Sequence, residues 1–400
     1  MDHRRFFRVL SLLLIFALLA GAFALAEEDV SITIYDNQGN VVAGEGTPVP
    51  PEGGEDEAEP LGTPEPTRDP SLPVYEQDGS ILLTLSFTGD VTIGTNVQAS
   101  SSIFEKELKK QKGDITFPFR NVRDIFLADD MTMVNFEGTL TTAGKNPKKR
   151  DYSFLFRADP SYVAMLPAGG IDTVSFENNH ADDMGEEGLK ETKDTLLAAG
   201  IPYASEDEPA IMTVKGVKIG SLAYQTFNGR HDELIEKVPA DIAALRAQGC
   251  EFIVVSYHWG AEKDYSPNDN QVRLGRATID AGADLVVGHH SHRINPIEYY
   301  NGKYICYSLG NFSFAGNNKP DDMSSYIFQL RVRVRDGVAS SEEFKIIPCR
   351  ISSRTDYNDF TPTPYTKDTH IEAVLRVLKE NGRKLEYAVE SYPLKFSDEE

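Results

Sequence analysis

Residues 284–296 read DLVVGHHSHRINP and place three of the chain's eight histidines within four positions. An apolar run typical of a buried strand ends at Gly288, and His289, His290 and His292 follow it closely. Imidazoles crowded at the end of a buried strand indicate a metal site, whereas a chance surface cluster is the alternative. The patterns in the rest of the chain favour one of these two interpretations.

Strand-like and helical patterns alternate on both sides of this stretch. The strand-like runs include ILLTLSFTGD, MTMVNFE, IDTVSFENNH, EFIVVSYHWG and KYICYSLGNF. Helical patterns such as EEGLKETKDTLLAAG and NQVRLGRATIDAG lie between several of them. Strands separated by helices predict an α/β fold with a largely parallel, buried sheet. The alternating stretch SSYIFQLRVRVRDGV, residues 324–338, predicts an antiparallel edge strand instead.

The predicted strands end on side chains that suit metal binding. These ends are Asp90, Glu137, the run Asn178-Asn179-His180, His258, the histidines 289–292, and Asn311. Because ligands of open α/β sheets bind at the carboxyl ends of the strands, we expect these groups to meet at one edge. Mixed carboxylate and imidazole donors favour manganese, zinc or iron over calcium. The sequence therefore predicts a divalent transition-metal site with one or two ions.

Each of these motifs also has an ordinary structural explanation. FTGD is typical of a turn, and Glu137 suits a solvated loop. Asp183 precedes a helix and suits an N-cap, and His258 suits a packed core position. Trp259 either walls a pocket or fills space in the core. Their common order along the chain, each at a strand end, favours the metal site.

Negative charge is concentrated near the beginning of the chain. The formal net charge is −22, and residues 27–79 contain fourteen Asp and Glu against one basic residue, Arg68. Eight prolines lie between Thr47 and Pro73, so we predict a flexible acidic linker over 27–79. A folded domain is expected over 80–348, followed by an extension over 349–400 with one helix, DTHIEAVLRVLKENG. The acidic balance argues against nucleic acid as a partner.

The first residues have the pattern of an export signal. MDHRRFFRVLSLLLIFALLAGAFALAEED has a basic start, an apolar run and small residues at 24–26, so residues 1–26 are predicted to be a secretory signal peptide. An uncleaved N-terminal anchor is the alternative, and membrane contact is expected only through it. Both interpretations predict an extracytoplasmic location. The three cysteines are odd in number without paired spacing, so no disulfide framework is expected.

The ordered motifs FTGDVTIG, NFEGTL, NNHADDMG, HWGAE, GHHSH and YSLGNF resemble the bacterial capsule-synthesis protein CapA family. This family, also called poly-γ-glutamate synthesis proteins, belongs to the calcineurin-like metallophosphoesterase superfamily, and the similarity runs from about residue 82 to residue 314. The resemblance implies a four-layer α/β/β/α sandwich. The metal ligands that it implies are Asp90, Glu137, Asn179, His258, His290 and His292.

The resemblance also implies catalytic and supporting roles. His180 corresponds to the general acid or transition-state donor. Apart from the resemblance, the proximity of Asp183 in the sequence suggests that it orients His180, and an N-cap role for Asp183 is the equal alternative. His289 directly follows Gly288 and is the alternative to His290 as a ligand. The positions expected to contact substrate or to support the ligands are Asn178, Glu262, His289 and Asn311.

One position departs from the superfamily pattern. Thr92 stands where the first motif usually has a histidine, so one metal position lacks a nitrogen donor. The first hypothesis is a protein that acts in synthesis, export or processing of an anionic capsule polymer such as poly-γ-glutamate, through a metal-dependent hydrolase-like site for amides or phosphoesters. The alternatives are a non-catalytic surface scaffold and a secreted phosphoesterase. The expected partner is an anionic cell-surface polymer or its synthesis and export machinery.

Overall fold

The computed structural model describes residues 72–144 and 154–399, together with the backbone of two short strands, β1 (Ile34–Tyr35) and β2 (Val41–Ala43). These strands pair as an antiparallel hairpin within a first unit, residues 1–65. A second unit, residues 66–400, contains the other elements. The predicted signal segment and the acidic linker up to residue 71 lie outside the described residues, apart from this hairpin.

Strands alternate with helices along the second unit. Its strands are β3 (Ile81–Thr92), β4 (Thr95–Asn96), β5 (Met131–Phe136), β6 (Thr139–Leu140), β7 (Phe156–Ala158), β8 (Thr173–Ser175), β9 (Tyr203–Ala204), β10 (Ala210–Val214), β11 (Val217–Gln225), β12 (Phe252–His258), β13 (Leu285–His289), β14 (Ile297–Tyr300), β15 (Lys303–Cys306), β16 (Asn311–Phe314), β17 (Ser324–Arg335), β18 (Val338–Arg350) and β19 (Thr363–Pro364). Its helices are α1 (Ile103–Lys110), α2 (Arg123–Leu127), α3 (Met165–Ala168), α4 (Gly185–Ala198), α5 (His231–Ala247), α6 (Asp269–Asp280) and α7 (Asp368–Gly382). Short 3₁₀ turns lie at Pro160–Ala164 and Phe227–Gly229.

Two mixed sheets carry the fold. The first has the order β19-β18-β17-β3-β5-β8-β9, with β16 beside the end of β3, and the second has the order β10-β11-β12-β13-β15-β14. Strands β3, β5, β8 and β9 run parallel in the first sheet, as do β11, β12, β13 and β15 in the second. A small third sheet joins β4, β7 and β6. The parallel centre of each sheet agrees with the alternation of strands and helices in the sequence.

The prediction of an edge strand over residues 324–338 was wrong in one respect. Strand β17 is antiparallel, as its alternation indicates, but it lies between β3 and β18 rather than at an edge. The residues that follow it form the 13-residue strand β18, which returns along its open side. A hairpin partner therefore covers the hydrogen-bonding groups that the prediction left exposed.

The two large sheets pack face to face, and helices cover their outer faces. Met133 of β5 and Val254 of β12 belong to the core between the sheets, whereas their chain neighbours Val134 and Val255 point to the opposite faces. Helices α1, α2 and α4 pack on the outer face of the first sheet, and α5 and α6 pack on the second. This alternation is the period of two that a strand buried on both faces requires. The four-layer α/β/β/α sandwich is confirmed.

Residues after 348 belong to the folded unit, so the predicted domain end was placed too early. Strand β18 continues to Arg350, and the predicted C-terminal helix is present as α7. Val374, Leu378 and Tyr392 complete the core between the two sheets. All three cysteines are buried and free, as expected. Among the described residues, no helix combines the length and the apolar character needed to cross a membrane.

Candidate metal centre

The predicted site residues meet at the carboxyl ends of the parallel strands of both sheets. Asp90 lies near the end of β3, Glu137 directly follows β5, and His180 follows β8 in the first sheet. His258 ends β12 and His289 ends β13 in the second sheet, where the two residues are direct cross-strand partners. The face-to-face sheets therefore bring carboxylates from one sheet towards imidazoles from the other.

Two glycines allow the sheets to approach at this edge. The segment KYICYSLGNF passes from one sheet to the other, because β15 pairs in the second sheet and β16 pairs with β3 in the first, where Asn311 is the partner of Asp90. The amide of Asp90 donates to the carbonyl oxygen of Gly310 at 2.9 Å. A Cβ atom at Gly89 would lie 1.8 Å from that oxygen, so only glycine fits before the aspartate.

A compact donor group forms the centre of the site. Asp90, Glu137 and His292 each offer one ligand atom, and these atoms all lie within 4.8 Å of one another. Nδ1 of His292 lies 3.2 Å from Oδ2 of Asp90. Both carboxylates are fully buried, and neither oxygen of Glu137 accepts a hydrogen bond from any residue that the structure describes. A buried carboxylate without such bonds is costly, and a cation bound between these donors removes that cost.

The other predicted imidazoles lie beside this group. Nε2 of His258 lies 3.1 Å from Nδ1 of His290, and Nδ1 of His289 lies 3.4 Å from Oδ1 of Asp90. His290 and His292 have φ angles of 90° and 54°, in the left-handed region that non-glycine residues rarely adopt. Such a backbone persists where the surrounding structure holds it, and here it aims both side chains towards the donor group. Both His289 and His290 therefore approach the site, from different sides.

The pKa shifts of the two carboxyl groups indicate that neighbouring positive charge favours their ionisation. Burial opposes ionisation of Asp90, but the neighbouring imidazoles of His289 and His292 outweigh it and hold the pKa of Asp90 well below its usual range. Burial, and then the charge of Asp90, raise the pKa of Glu137 well above its usual range. One carboxylate is thus stabilised as an anion while its neighbour resists ionisation, as expected for two acids that share a dry site.

The imidazoles divide into two classes. Burial and neighbouring His290 lower the pKa of His258 well below its usual value, and burial lowers the pKa of His290 to about 4, so both rings are neutral at pH 7. For His292 burial acts downward, but the charges of Glu137 and Asp90 raise its pKa to about 9. Neutral rings are ready to coordinate, whereas cation binding would displace the proton of His292. The donor set therefore fits a divalent transition metal.

His180 stands over the centre with Asp183 behind it. Nδ1 of His180 lies 2.8 Å from Oδ2 of Asp183, and its Nε2 lies 3.7 Å from Oε1 of Glu137. The same Asp183 oxygen accepts the backbone N–H of Phe156 at 2.6 Å, and the Phe156 ring packs against His180 with centroids 4.6 Å apart. The predicted contact between Asp183 and His180 is present, and α4 receives no side-chain cap from Met184, the residue before it. Their catalytic roles stay a prediction.

Two buried asparagine side chains hydrogen-bond to the loops that carry the site residues and fix the positions of these loops. Asn178 donates to the carbonyl oxygen of Phe136 at 2.8 Å and accepts the backbone N–H of His180 at 3.0 Å, which fixes the turn that carries Asn179. Asn311 lies 2.8 Å from Nδ1 of His292 through its Oδ1. These contacts agree with the predicted supporting roles of Asn178 and Asn311.

One residue in this network was missed from the sequence. The side chain of Asn135 donates to Oδ1 of Asp90 at 2.8 Å and accepts from Asn178 at 3.3 Å, so it joins the first and third motifs. The signal was present in VNFEG, where a polar residue interrupts an apolar strand two positions before Glu137. The prediction gave weight only to the residue at the strand end.

A cavity of about 240 Å³ opens beside the donor group. Its lining combines phenyl rings with polar groups, namely Phe154, Phe156, His180, Glu262, Lys263, His292, Arg293, Asn311, Phe314, Gly316, Asn317, Pro320 and Asp321. Glu262 is exposed and lines this cavity, and its contact with substrate stays a prediction. Trp259 is fully buried and stacks on Tyr257 with centroids 4.7 Å apart, so it fills the core and does not line this cavity.

Thr92 occupies the position at which the resemblance expects a histidine. It is fully buried on β3, and its hydroxyl oxygen has no hydrogen-bond partner among the residues that the structure describes. A hydroxyl is a poor substitute for a neutral imidazole as a transition-metal ligand. The donor set therefore lacks, next to Asp90, the nitrogen ligand that the resemblance leads us to expect.

Comparison with known proteins gives the following similarities. The family described as "Bacterial capsule synthesis protein PGA_cap" matches residues 84–315. The chain is 32% identical over 319 residues to the PGA biosynthesis protein CapA of Bacillus subtilis (strain 168), covering 75% of this chain and 77% of that protein. It is 28% identical over 273 residues to the capsule biosynthesis protein CapA of Bacillus anthracis, covering 62% and 64%. Among solved structures, the calcineurin-like phosphoesterase YfkN from Bacillus subtilis is 16% identical with a TM-score of 0.40, covering 76% of this chain and 99% of that chain.

Proposed function

The chain belongs to the bacterial capsule synthesis protein family, and we propose that it processes an anionic capsule polymer, such as poly-γ-glutamate, outside the cytoplasm at a metal-dependent hydrolase-like site. The observation that carries the proposal is the buried Glu137 carboxylate, which accepts no hydrogen bond from the described residues and faces Asp90, His292 and His180. The names of two relatives, which refer to PGA and capsule biosynthesis, support the choice of polymer. The predicted signal segment supports the location.

The proposal assigns the metal to the donors at the strand ends. Asp90, Glu137 and His292 would hold the ion, with His258, His290 and Asn179 as further ligands or as ligands of a second ion. When bound, a divalent transition metal supplies Lewis-acid polarisation of the scissile bond and lowers the pKa of water at the site. Thr92 leaves one side of the set short of a nitrogen donor, so we expect one ion to bind more tightly than a second.

His180 is the residue that would move the proton. The carboxylate of Asp183 holds Nδ1, which fixes the orientation of the ring, and Nε2 then faces the centre. In hydrolysis of an amide, water adds to the carbonyl carbon and releases one proton to solvent, the C–N bond breaks, and Nε2–H of His180 donates to the leaving nitrogen. His180 then regains a proton from solvent. The Phe156 ring packs against the imidazole of His180 and restricts its movement.

A scaffold without catalysis is the second candidate function. The observation that favours it is Thr92, because a weakened metal position reduces the capacity for turnover while leaving the fold intact. Under this alternative the ion would stabilise the loops at the strand ends, and the surface would bind a synthesis or export complex.

Metal analysis and a hydrolysis assay on the full chain distinguish these functions. We expect stoichiometric manganese, zinc or iron in the parent and in His180→Gln, and loss of the metal in His258→Ala and His292→Ala. Against a γ-linked glutamate oligomer, His180→Gln should lower turnover by about 10²-fold to 10⁴-fold at full metal occupancy. A metal-loaded parent that hydrolyses neither this oligomer nor a phosphoester would favour the scaffold, and a well-folded parent without metal would remove the hydrolase.

A further inference from the structure

A lysine occupies a turn position that favours glycine at the rim of the cavity. Residues 261–264 form a turn in which the N–H of Asp264 donates to the carbonyl oxygen of Ala261 at 3.3 Å. Lys263, the third residue of this turn, has a φ angle of 70°. Glycine is preferred at such a position because it has no Cβ penalty, so a lysine here carries backbone strain. Strained backbone positions of this kind cluster at functional sites.

The turn is joined directly to the histidine loop. The N–H of Lys263 donates to the carbonyl oxygen of Ser291 at 2.7 Å, between the two left-handed residues His290 and His292. Lys263 also lines the cavity together with Phe156 and Phe314. Its position is therefore set by the same loop that sets the donor group.

The charge of Lys263 is available, whereas the other basic side chain of the cavity is already engaged. The guanidinium of Arg293 donates to Asp321 at 2.6 Å and to the carbonyl oxygen of His292 at 2.9 Å. The ammonium group of Lys263 forms no direct hydrogen bond or ion pair with the residues that the structure describes, and its charge acts on Asp321 only at longer range, where it helps to lower the pKa of that carboxyl group. Glu262 and Asp321 are the acidic residues of the lining, and Asp321 is the partner of Arg293.

We propose that Lys263 is the specificity-determining residue that binds a carboxylate of the substrate next to the scissile bond. The inference rests on the proposed function and narrows its substrate class to chains whose repeating unit carries a carboxylate and short methylene stretches. Those methylene groups would pack against the rings of Phe156 and Phe314. The Arg293 nitrogens that would form a bidentate fork already donate to Asp321 and to a backbone carbonyl, so Lys263 is left to bind an anionic group of the substrate as a point charge. The carboxylate follows from the polymer of the proposed function.

Substitution by glycine separates this role from a structural one. Lys263→Gly removes the charge and relieves the left-handed backbone, so the melting temperature should equal or exceed that of the parent, within about 3 °C. Lys112→Gly is the matched control, because Lys112 is also exposed, has a φ angle of 57° and does not line the cavity. Lys263→Arg keeps a positive charge and should retain most of the affinity.

Binding is measured by calorimetry with saturating Mn²⁺ on full-length chains that all carry His180→Gln, which prevents consumption of the ligand. The ligands are a short γ-linked glutamate oligomer, its methyl ester and a phosphoserine peptide of equal length. We expect the oligomer to bind more tightly than its ester. Lys263→Gly should lower the affinity for the oligomer by about tenfold, the loss typical of one charged hydrogen bond, and should leave the affinities for the other two ligands unchanged. The Lys112→Gly chain should bind as the His180→Gln chain does.

Each contrary outcome has a distinct meaning. Equal binding of the oligomer before and after Lys263→Gly overturns the role of Lys263 and leaves the proposed function standing. A preference for the phosphopeptide that disappears in Lys263→Gly overturns the assignment to a carboxylate. Absence of oligomer binding in the His180→Gln chain and in the parent overturns the proposed function and this inference with it.

Discussion

The parallel strands of the first sheet carry carboxylates at both ends, which are fully buried at the carboxyl end and partly exposed at the amino end. The carboxyl-end group, Asp90 and Glu137, lies at the donor site, whereas the amino-end group, Asp129, Asp130 and Asp172, precedes β5 and β8. In the amino-end group, Asp130 accepts the N–H of Thr84 at 2.9 Å and pairs with a lysine, and Asp172 accepts the N–H of Thr132 at 2.7 Å. Glu137 accepts no hydrogen bond from the described residues.

The difference teaches how a structural acid is distinguished from a functional one. Asp130 and Asp172 accept backbone N–H groups at strand beginnings, and Oδ2 of Asp129 accepts the hydroxyl of Thr132. All three residues are partly exposed, although Oδ1 of Asp129 has no hydrogen-bond partner among the described residues. Glu137 is fully buried, and its cost to the fold has no compensation from hydrogen bonds of the described residues. Partial burial, even with one orphaned oxygen as in Asp129, therefore does not mark the functional acid, whereas full burial with neither oxygen hydrogen-bonded to a described residue does.

Glu137→Gln should produce the largest effect. The amide keeps the size of the side chain but removes the negative charge, so we expect the affinity for Mn²⁺ or Zn²⁺ to fall by at least about 100-fold, measured by calorimetry. In excess chelator at pH 7 the same variant should melt at a higher temperature than the parent, because the raised pKa of Glu137 means that its carboxyl group destabilises the metal-free fold at this pH. Metal affinity and metal-free stability should therefore change in opposite directions.

Asp172→Asn is the matched control for this prediction, since it makes the same chemical change in the amino-end group. Its metal affinity should stay within about twofold of the parent, a change of less than 0.5 kcal/mol. Equal losses of affinity in the two variants would show that the effect of Glu137→Gln arises from general damage to the sheet. An unchanged affinity in Glu137→Gln would remove Glu137 from the ligand set.

The carboxyl-end group could be anticipated from the sequence because its signal is local. Each strand changes from apolar to polar within one or two residues, and parallel strands bring such changes to a common edge. The order FTGD, NFEG, NNH, HWG and GHHSH was therefore enough to select Asp90, Glu137, His180, His258 and His292. The resemblance to a known family added the four-layer arrangement, which the alternation alone permits but does not specify.

The features that could not be anticipated depend on tertiary packing. KYICYSLGNF reads as one strand, but β15 and β16 lie in different sheets, and the crossing at Gly310 places Asn311 beside Asp90. Asn135 reads as an interior strand residue until its contact with Asp90 is known. The φ angle of Lys263 has no counterpart in local sequence, because glycine rather than lysine indicates such a turn.

Asp129→Asn tests the amino-end group through the pH dependence of stability. Burial, opposed in part by hydrogen bonds and aided by the charges of Asp172 and Asp130, raises the pKa of Asp129 to about 7. Because the folded pKa lies above the unfolded value, the contribution is fully present below about pH 4 and is lost as the pH rises through 7. Relative to Asp129→Asn, the parent should lose about 2 kcal/mol of unfolding free energy between pH 5 and pH 8, allowing for partial exposure.

Urea unfolding at several pH values in excess chelator measures this difference. The chelator keeps metal binding from adding its own pH dependence, and the comparison of two variants cancels the titration of the carboxyl-end group. If the parent and Asp129→Asn lose stability in parallel over this range, Asp129 does not titrate there. The amino-end group would then be fully compensated by its own hydrogen bonds.

Asp172→Ala and Asp172→Asn should change the unfolding free energy least. Comparing them separates the charge of an amino-end carboxylate from its role as a hydrogen-bond acceptor. Burial raises the pKa of Asp172, so its negative charge does not stabilise the fold, and its value lies in accepting the N–H of Thr132. Asparagine keeps that acceptor and should change the unfolding free energy by less than about 0.5 kcal/mol. Alanine leaves the N–H without its partner and should cost about 1 kcal/mol in urea unfolding. If both variants lose the same amount, the charge itself contributes, and the two ends of the sheet differ in the degree of compensation rather than in kind.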